Sequence, residues 1–93
     1  MMEIESHQIY ISNSVAQKIE WKHNVSEDEV YEVFESDYRV HITRSSRRRN
    51  AYLVLGRTFA GRYLAIALKP EADGYTVLTA RDMEQHERRR YRR

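Results

Sequence analysis

A chain of 93 residues and 11.2 kDa is long enough for one domain, residues 1–93, with one modest core. It has no cysteine, which excludes disulfides, thiolate metal sites and a thiol nucleophile and fits a reducing compartment. Its formal charge of +2 conceals a dipole, because residues 1–37 carry two lysines against nine acidic side chains and residues 38–93 carry fourteen basic against five acidic. A basic half interleaved with tyrosines fits a polyanion such as nucleic acid, and an acidic half fits a basic protein; the plain alternative is a solvated surface that segregates by element.

The N-terminal MMEIESHQIY is acidic and lacks the basic and apolar regions of a secretory signal. No later run is long and apolar enough for a membrane span, so a soluble cytoplasmic protein is expected. ESHQIYI fits a short edge strand or a loosely held arm. From Ser14, read as an N-cap, the spacing of Val15, Ile19 and Lys22 predicts a first helix ending at His23, with Asn24 in the left-handed conformation after it. Ser26 and Glu29 form a capping box and Val25 and Val30 a hydrophobic staple. These open a second helix over 27–35, with Val30, Val33 and Phe34 inward.

After Asp37 the period becomes two. YRVHITR (38–44), AYLVLGR (51–57), RYLAIALK (62–69) and YTVLTA (75–80) predict four strands joined by SSRRRN, TFAG and a loop over Pro70–Gly74. With connections this short the expected sheet is an antiparallel meander. One face is assigned Leu53, Leu55, Leu64, Ile66, Leu68 and Leu78, under the two N-terminal helices. The other receives Tyr52, Val54, Tyr63, Ala65, Tyr75 and Val77. Asp82 is read as the N-cap of a last helix reaching Tyr91, its arginines at the end the helix dipole favours. The expected fold class is α+β, two N-terminal helices and one C-terminal helix on a four-stranded antiparallel sheet.

Metal chemistry finds little support. His7, His23, His41 and His86 lack i, i+4 partners, the acids of the basic half form no cluster, and the three glycines stand singly, so no metal or other cofactor is expected. Arginine, lysine, histidine, tyrosine and a few carboxylates are enough for metal-independent RNA cleavage. There the ribose 2′-OH is the nucleophile, and the protein aligns it, moves protons and stabilises charge on phosphorus.

KIEWKHNVSEDEVYEVF (18–34), LGRTFAGRYL (55–64) and LTARDMEQHERRRY (78–91) together resemble the BrnT-type ribonuclease toxins of bacterial type II toxin-antitoxin systems. The resemblance covers about residues 15–91. It implies a RelE-like fold, RNA as substrate, cleavage without metal and neutralisation by an antitoxin protein. Carried over by position, the catalytic set falls on Lys22, His23, Arg57, Arg81, Glu87 and Tyr91. Asn24 stands where glycine is common in the family, and Thr79 where serine is usual.

Each residue also has a plainer reading. Lys22 and His23 complement a helix terminus as well as they would a site. Arg57 and Arg62 fit ordinary strand-end charges. Arg81, at a strand end before a helix, is the strongest candidate, its alternative being an ion pair with Glu84 or Glu87. Glu87 would then be a partner charge and Tyr91 an apolar anchor. Arg47, Arg48, Arg49, Arg62 and Arg88 are expected to meet RNA phosphates without taking part in chemistry. Two rival functions stay open, a non-catalytic nucleic-acid-binding module and a protein-interaction component.

Overall fold

A computed structural model describes residues 3–93; Met1 and Met2, which belong to the acidic N-terminal segment, lie outside the described residues. Five strands form one mixed sheet, β1 (Ile9–Tyr10), β2 (His41–Arg44), β3 (Tyr52–Arg57), β4 (Tyr63–Glu71) and β5 (Gly74–Asp82), in the order β1-β5-β4-β3-β2. Three helices accompany it, α1 (Asn13–His23), α2 (Glu27–Glu35) and α3 (Gln85–Arg92). The sheet therefore departs from the four-stranded antiparallel expectation. The β2-β3-β4-β5 meander is antiparallel, but β1 joins its edge in parallel, Ile9 opposite Tyr75 and Tyr10 opposite Thr76.

The N-terminal segment is no loose arm, since Ile4, Ile9 and Ile11 are buried in the main core. A short 3-10 turn over Ser6–Gln8 leads into β1. Gly74 makes this approach possible: at φ +153° it has no side chain where a Cβ would collide with the Gln8 carbonyl oxygen.

The first two helices are fixed by their caps. Ser12, not Ser14, caps α1, its Oγ accepting from the Val15 N–H at 3.2 Å. Asn24 takes the left-handed conformation at φ 54°. Its N–H donates to Glu20 O at 3.0 Å, and Val25 N–H donates to Ile19 O at 3.2 Å. Ser26 and Glu29 cap α2 reciprocally at 3.0 and 3.1 Å, and Val25 and Val30 are fully buried across that cap.

The two faces of the sheet differ from the expected assignment. Arg57 pairs with Tyr63 across the turn, so even-numbered residues of β3 face the same way as even-numbered residues of β4. Val54, Leu64, Ile66 and Leu68 consequently lie under α1 and α2, with Ile19, Val30 and Val33, while Leu53 and Leu55 face the opposite way. Leu78 is the unpaired residue at a bulge where Ala67 opposes Thr79 and Leu68 opposes Val77. The slip turns Val77 into the main core in place of Leu78. Gly56 sits beneath α2 because a Cβ there would lie 2.6 Å from Val33 Cγ1.

Several boundaries also move. Pro70 and Glu71 belong to β4 rather than to a loop; β3 pairs with β4 only as far as Leu68, so the missing N–H of Pro70 costs no bond to that neighbour. Asp82 ends β5 instead of capping the last helix, because Arg62 holds its carboxylate. Glu84 becomes the N-cap of α3, its N–H donating to Glu87 Oε1 at 2.8 Å.

Candidate active site

The face turned away from α1 and α2 is built in register rows. Leu53, Ala67 and Thr79 lie side by side across β3, β4 and β5, and Leu55, Ala65 and Arg81 form the next row; beyond them Arg57 opposes Tyr63 at the hairpin end. α3 covers part of this face through Tyr91, which packs with Leu55, Ala65 and Met83 in a small second core. Between α3, the sheet and the Ser45–Asn50 loop a cleft of about 220 Å³ stays open. Its floor is Leu53, Ala65, Ala67 and Thr79, and its walls carry Arg47, Arg48, Arg81, His86, Glu87 and Arg90. Ser45 shapes the loop wall, its Oγ accepting from the N–H groups of Arg47 and Arg48 at 3.2 and 3.0 Å.

Arg81 and Glu87 form a two-pronged ion pair, Nη1 to Oε1 at 2.7 Å and Nη2 to Oε2 at 3.0 Å. The Glu87 side chain is only 4% exposed and that of Arg81 is 25% exposed. Burial alone would push the Glu87 carboxyl up, but Arg81 and the Glu84 N–H outweigh it and hold the group below its usual range. Arg81 is in turn raised, chiefly by its hydrogen bond to Glu87. Of the alternatives open for Arg81, the ion pair with Glu87 is formed.

Arg57 is positioned differently. Its guanidinium lies between the Tyr38 ring, 4.1 Å from the centroid, and the Tyr63 ring, 4.4 Å away, and its Nε donates to Gly61 O at 3.0 Å. Its two terminal nitrogens have no hydrogen-bond partner among the described residues. Arg88 and Arg92 also lie over Tyr63, at 4.4 and 5.4 Å. The Tyr63 hydroxyl is pulled below its ordinary pKa, foremost by its hydrogen bond from Arg92. Tyr63 escaped the sequence reading as a site residue; its signal was its place opposite Arg57 across the TFAG turn.

Arg62 is engaged within the protein as a structural staple. It holds Asp82 at 2.7 and 3.2 Å, Glu29 at 3.0 and 3.1 Å, and the carbonyls of Asn24 and His23 at 2.8 and 3.2 Å. Those carbonyls are among the unpaired acceptors at the end of α1, so Arg62 complements the helix terminus, which was one of the two readings of Lys22 and His23. The Asp82 carboxylate is held low mainly by Arg62, and Arg62 is raised mainly by Asp82.

The remaining candidates divide by face. Lys22, exposed beside the 83%-exposed Trp21, and the half-buried His23 belong to the helix layer on the opposite side of the sheet. No hydrogen bond or ion pair among the described residues links their side chains to Arg57, Arg81, Glu87 or Tyr91. Tyr91 donates its hydroxyl to Arg39 O at 2.6 Å, and its ring meets Tyr63 edge-on at 5.9 Å; burial raises its pKa. Arg47 and Arg48 reach the cleft, Arg88 the Tyr63 ring, and Arg49 is exposed on the loop. His86 and Arg90 line the cleft; Arg90 belongs to the C-terminal arginine run read as footing for phosphates, whereas His86 had no site role in the sequence.

Glu84, His86 and Glu87 bring three possible ligand atoms within 4.8 Å of one another. The fit to a cation is poor, because both Glu87 oxygens already accept from Arg81 and a metal would sit against that guanidinium.

No sequence family matches this chain, and no curated protein matches it in sequence. Among solved structures it is similar to the 1.1 Å crystal structure of the Brucella abortus ribonuclease toxin BrnT, with a TM-score of 0.59, 21% identity, and coverage of 91% of this chain and 100% of that one. The fold is that of BrnT. At 21% identity the likeness shows the BrnT-type architecture alone. No helix among the described residues is long and apolar enough to cross a membrane.

Proposed function

We propose that this protein is a metal-independent endoribonuclease, the toxin of a bacterial type II toxin-antitoxin pair, acting in the cytoplasm and neutralised by an antitoxin protein. The observation that carries the proposal is the clamped Arg57, with both terminal nitrogens uncommitted, on the sheet face that also holds the Arg81–Glu87 pair and an arginine-walled cleft. A guanidinium fixed by two rings and a carbonyl needs little reorganisation to meet a phosphate, which is what stabilising a charge-accumulating transition state requires. The BrnT-type fold supports the same activity.

In this reading the RNA strand lies across the sheet face with its scissile phosphate against Arg57. The 2′-OH attacks phosphorus and the bond to the 5′-oxygen breaks. Arg57, assisted by Arg81, bears the added charge. When the strand draws one prong of the Arg81 pair away, the freed Glu87 oxygen accepts the 2′-OH proton, and His86 on the cleft wall returns one to the leaving 5′-oxygen. Tyr91 anchors α3 through Arg39, and Arg47, Arg48, Arg88 and Arg90 meet flanking phosphates. Lys22 and His23 contribute from the other side of the sheet, to an RNA strand that wraps its hairpin end.

The products test this chemistry. Cleavage that persists in EDTA and leaves 2′,3′-cyclic phosphate ends is expected, with a substrate 2′-deoxy at the cleavage position left whole. Products with 3′-hydroxyl ends, or cleavage abolished by EDTA, would contradict it. One observation favours a second reading, a nucleic-acid-binding module: Arg81 and Glu87 spend their polar atoms on each other, and Arg57 alone suffices to hold a phosphate. Salt-sensitive RNA binding without products would support that reading.

A further inference from the structure

We infer that the cleft floored by Leu53, Ala65, Ala67 and Thr79 is a nucleobase pocket, which takes one unstacked base of the RNA strand. This deepens the ribonuclease reading and rests on it for the identity of the polymer.

The floor is flat because of its register. Leu53, Ala67 and Thr79 are cross-strand neighbours on three adjacent strands, and Ala65 follows in the next row. Three strands at about 4.8 Å spacing span about 10 Å, the breadth of a planar ring system. The small side chain of Ala67 at the centre leaves depth above the sheet between the half-buried Leu53 and Thr79, and Ala65 closes the inner end against Tyr91; on the opposite face Leu64, Ile66 and Leu68 fill the space under two helices. A cleft of about 220 Å³ has room for a base.

The polar groups around that floor suit a nucleotide. Arg47, Arg48 and Arg90 stand on the walls, where a guanidinium plane stacks on a base and its edge reaches the attached phosphate. Thr79 presents the hydroxyl of the floor, and it has no hydrogen-bond partner among the described residues although the residue is half-buried. A hydroxyl both donates and accepts, so it can read a base edge of either kind. At the hairpin end of the same face, two register rows beyond Thr79, Arg57 opposes Tyr63, so a base in the pocket lies along the strand path to the proposed phosphate contact. An acidic or purely apolar ligand lacks one half of this match: the walls reward a phosphate, and the alanine floor rewards a ring.

The test titrates the full-length protein, by NMR, with the four nucleoside 5′-monophosphates and with ribose 5-phosphate, which has the same sugar and phosphate without a base. At least one nucleotide is expected to bind about tenfold more tightly than ribose 5-phosphate. Ala67→Leu, which fills the floor, should abolish that advantage while leaving ribose 5-phosphate binding within about twofold. Thr79→Val, nearly the same in shape, should change the ranking of the four bases. Equal affinity for ribose 5-phosphate and all four nucleotides would overturn the pocket, as would an unchanged preference in a folded Ala67→Leu protein. RNA cleavage is scored separately: base-dependent binding with uncut RNA removes the nuclease reading and keeps the pocket, and cleavage without base-dependent binding does the reverse.

Discussion

Three arginines on neighbouring strand ends show how little the residue type decides. Arg62 is surrounded by two carboxylates and two helix-end carbonyls, Arg81 is matched to one carboxylate, and Arg57 is held by rings and one carbonyl, its terminal nitrogens without a hydrogen-bond partner among the described residues. Arg62→Ala should therefore lower stability by about 2 kcal/mol, because it unpairs partly screened carboxylates and helix-end carbonyls together. Urea unfolding checks that figure; a variant as stable as the parent would mean that the network contributes nothing net.

The Arg81–Glu87 pair makes a prediction about pH. Glu87 binds its proton less readily folded than unfolded, so its contribution is fully present above the ordinary carboxylate range, about pH 4.3, and disappears as pH falls through the lower folded value. The stability difference between the parent and Glu87→Gln should be largest near neutrality and shrink on acidification below that range. Urea midpoints measured across pH would show this; a difference independent of pH would mean that the charge of Glu87 is not what stabilises the pair.

At the level of elements, local signals were legible and register was not. The α1–α2 corner was readable from Asn24, Ser26, Glu29 and the two valines because every contact there spans a few residues. The strand faces were misassigned because their parity depends on the length of the Thr58–Arg62 turn and on a bulge at Leu78, and neither leaves a compositional mark. Asp82 looked like a helix cap since its partner, Arg62, lies twenty residues away. The candidate site was legible as a list containing Arg57, Arg81 and Glu87. Its cleft was not, because alanines, Thr79 and His86 gain meaning only when the sheet aligns them.

The α2–sheet contact is similarly specific. Gly56→Ala should cost about 1–3 kcal/mol, because the added methyl meets Val33 at the centre of a packed layer. Combining it with Val33→Ala should restore part of that loss, and a double-mutant cycle measures the coupling. Strict additivity would mean that the two side chains do not compete for the same space. Asn24→Gly should hold or raise stability, whereas Asn24→Ala should lower it by about 1 kcal/mol, since only the glycine accepts the left-handed conformation freely.

For the whole molecule, the charge asymmetry follows the architecture. The acidic side chains Glu27, Asp28, Glu29, Glu32 and Glu35 sit on α2 on one side of the sheet, and α3 and the Ser45–Asn50 loop bring arginines to the other. A polyanion is attracted to one face and repelled from the other, so under the proposed function an RNA strand would be oriented before it makes short-range contacts. Binding should weaken steeply with added salt, in proportion to the number of phosphates held, and Arg57→Ala should flatten that slope by about one phosphate.

The central claim is that RNA is cut on the arginine-bearing face, with Arg57 meeting the phosphate. The most direct measurement incubates purified parent, Arg57→Ala and Arg62→Ala proteins with total RNA in EDTA, below the unfolding range of each. The parent and Arg62→Ala should both cleave, and Arg57→Ala should be slower by about 100-fold or more. Full cleavage by a folded Arg57→Ala protein, or intact RNA with the parent itself, would contradict the account.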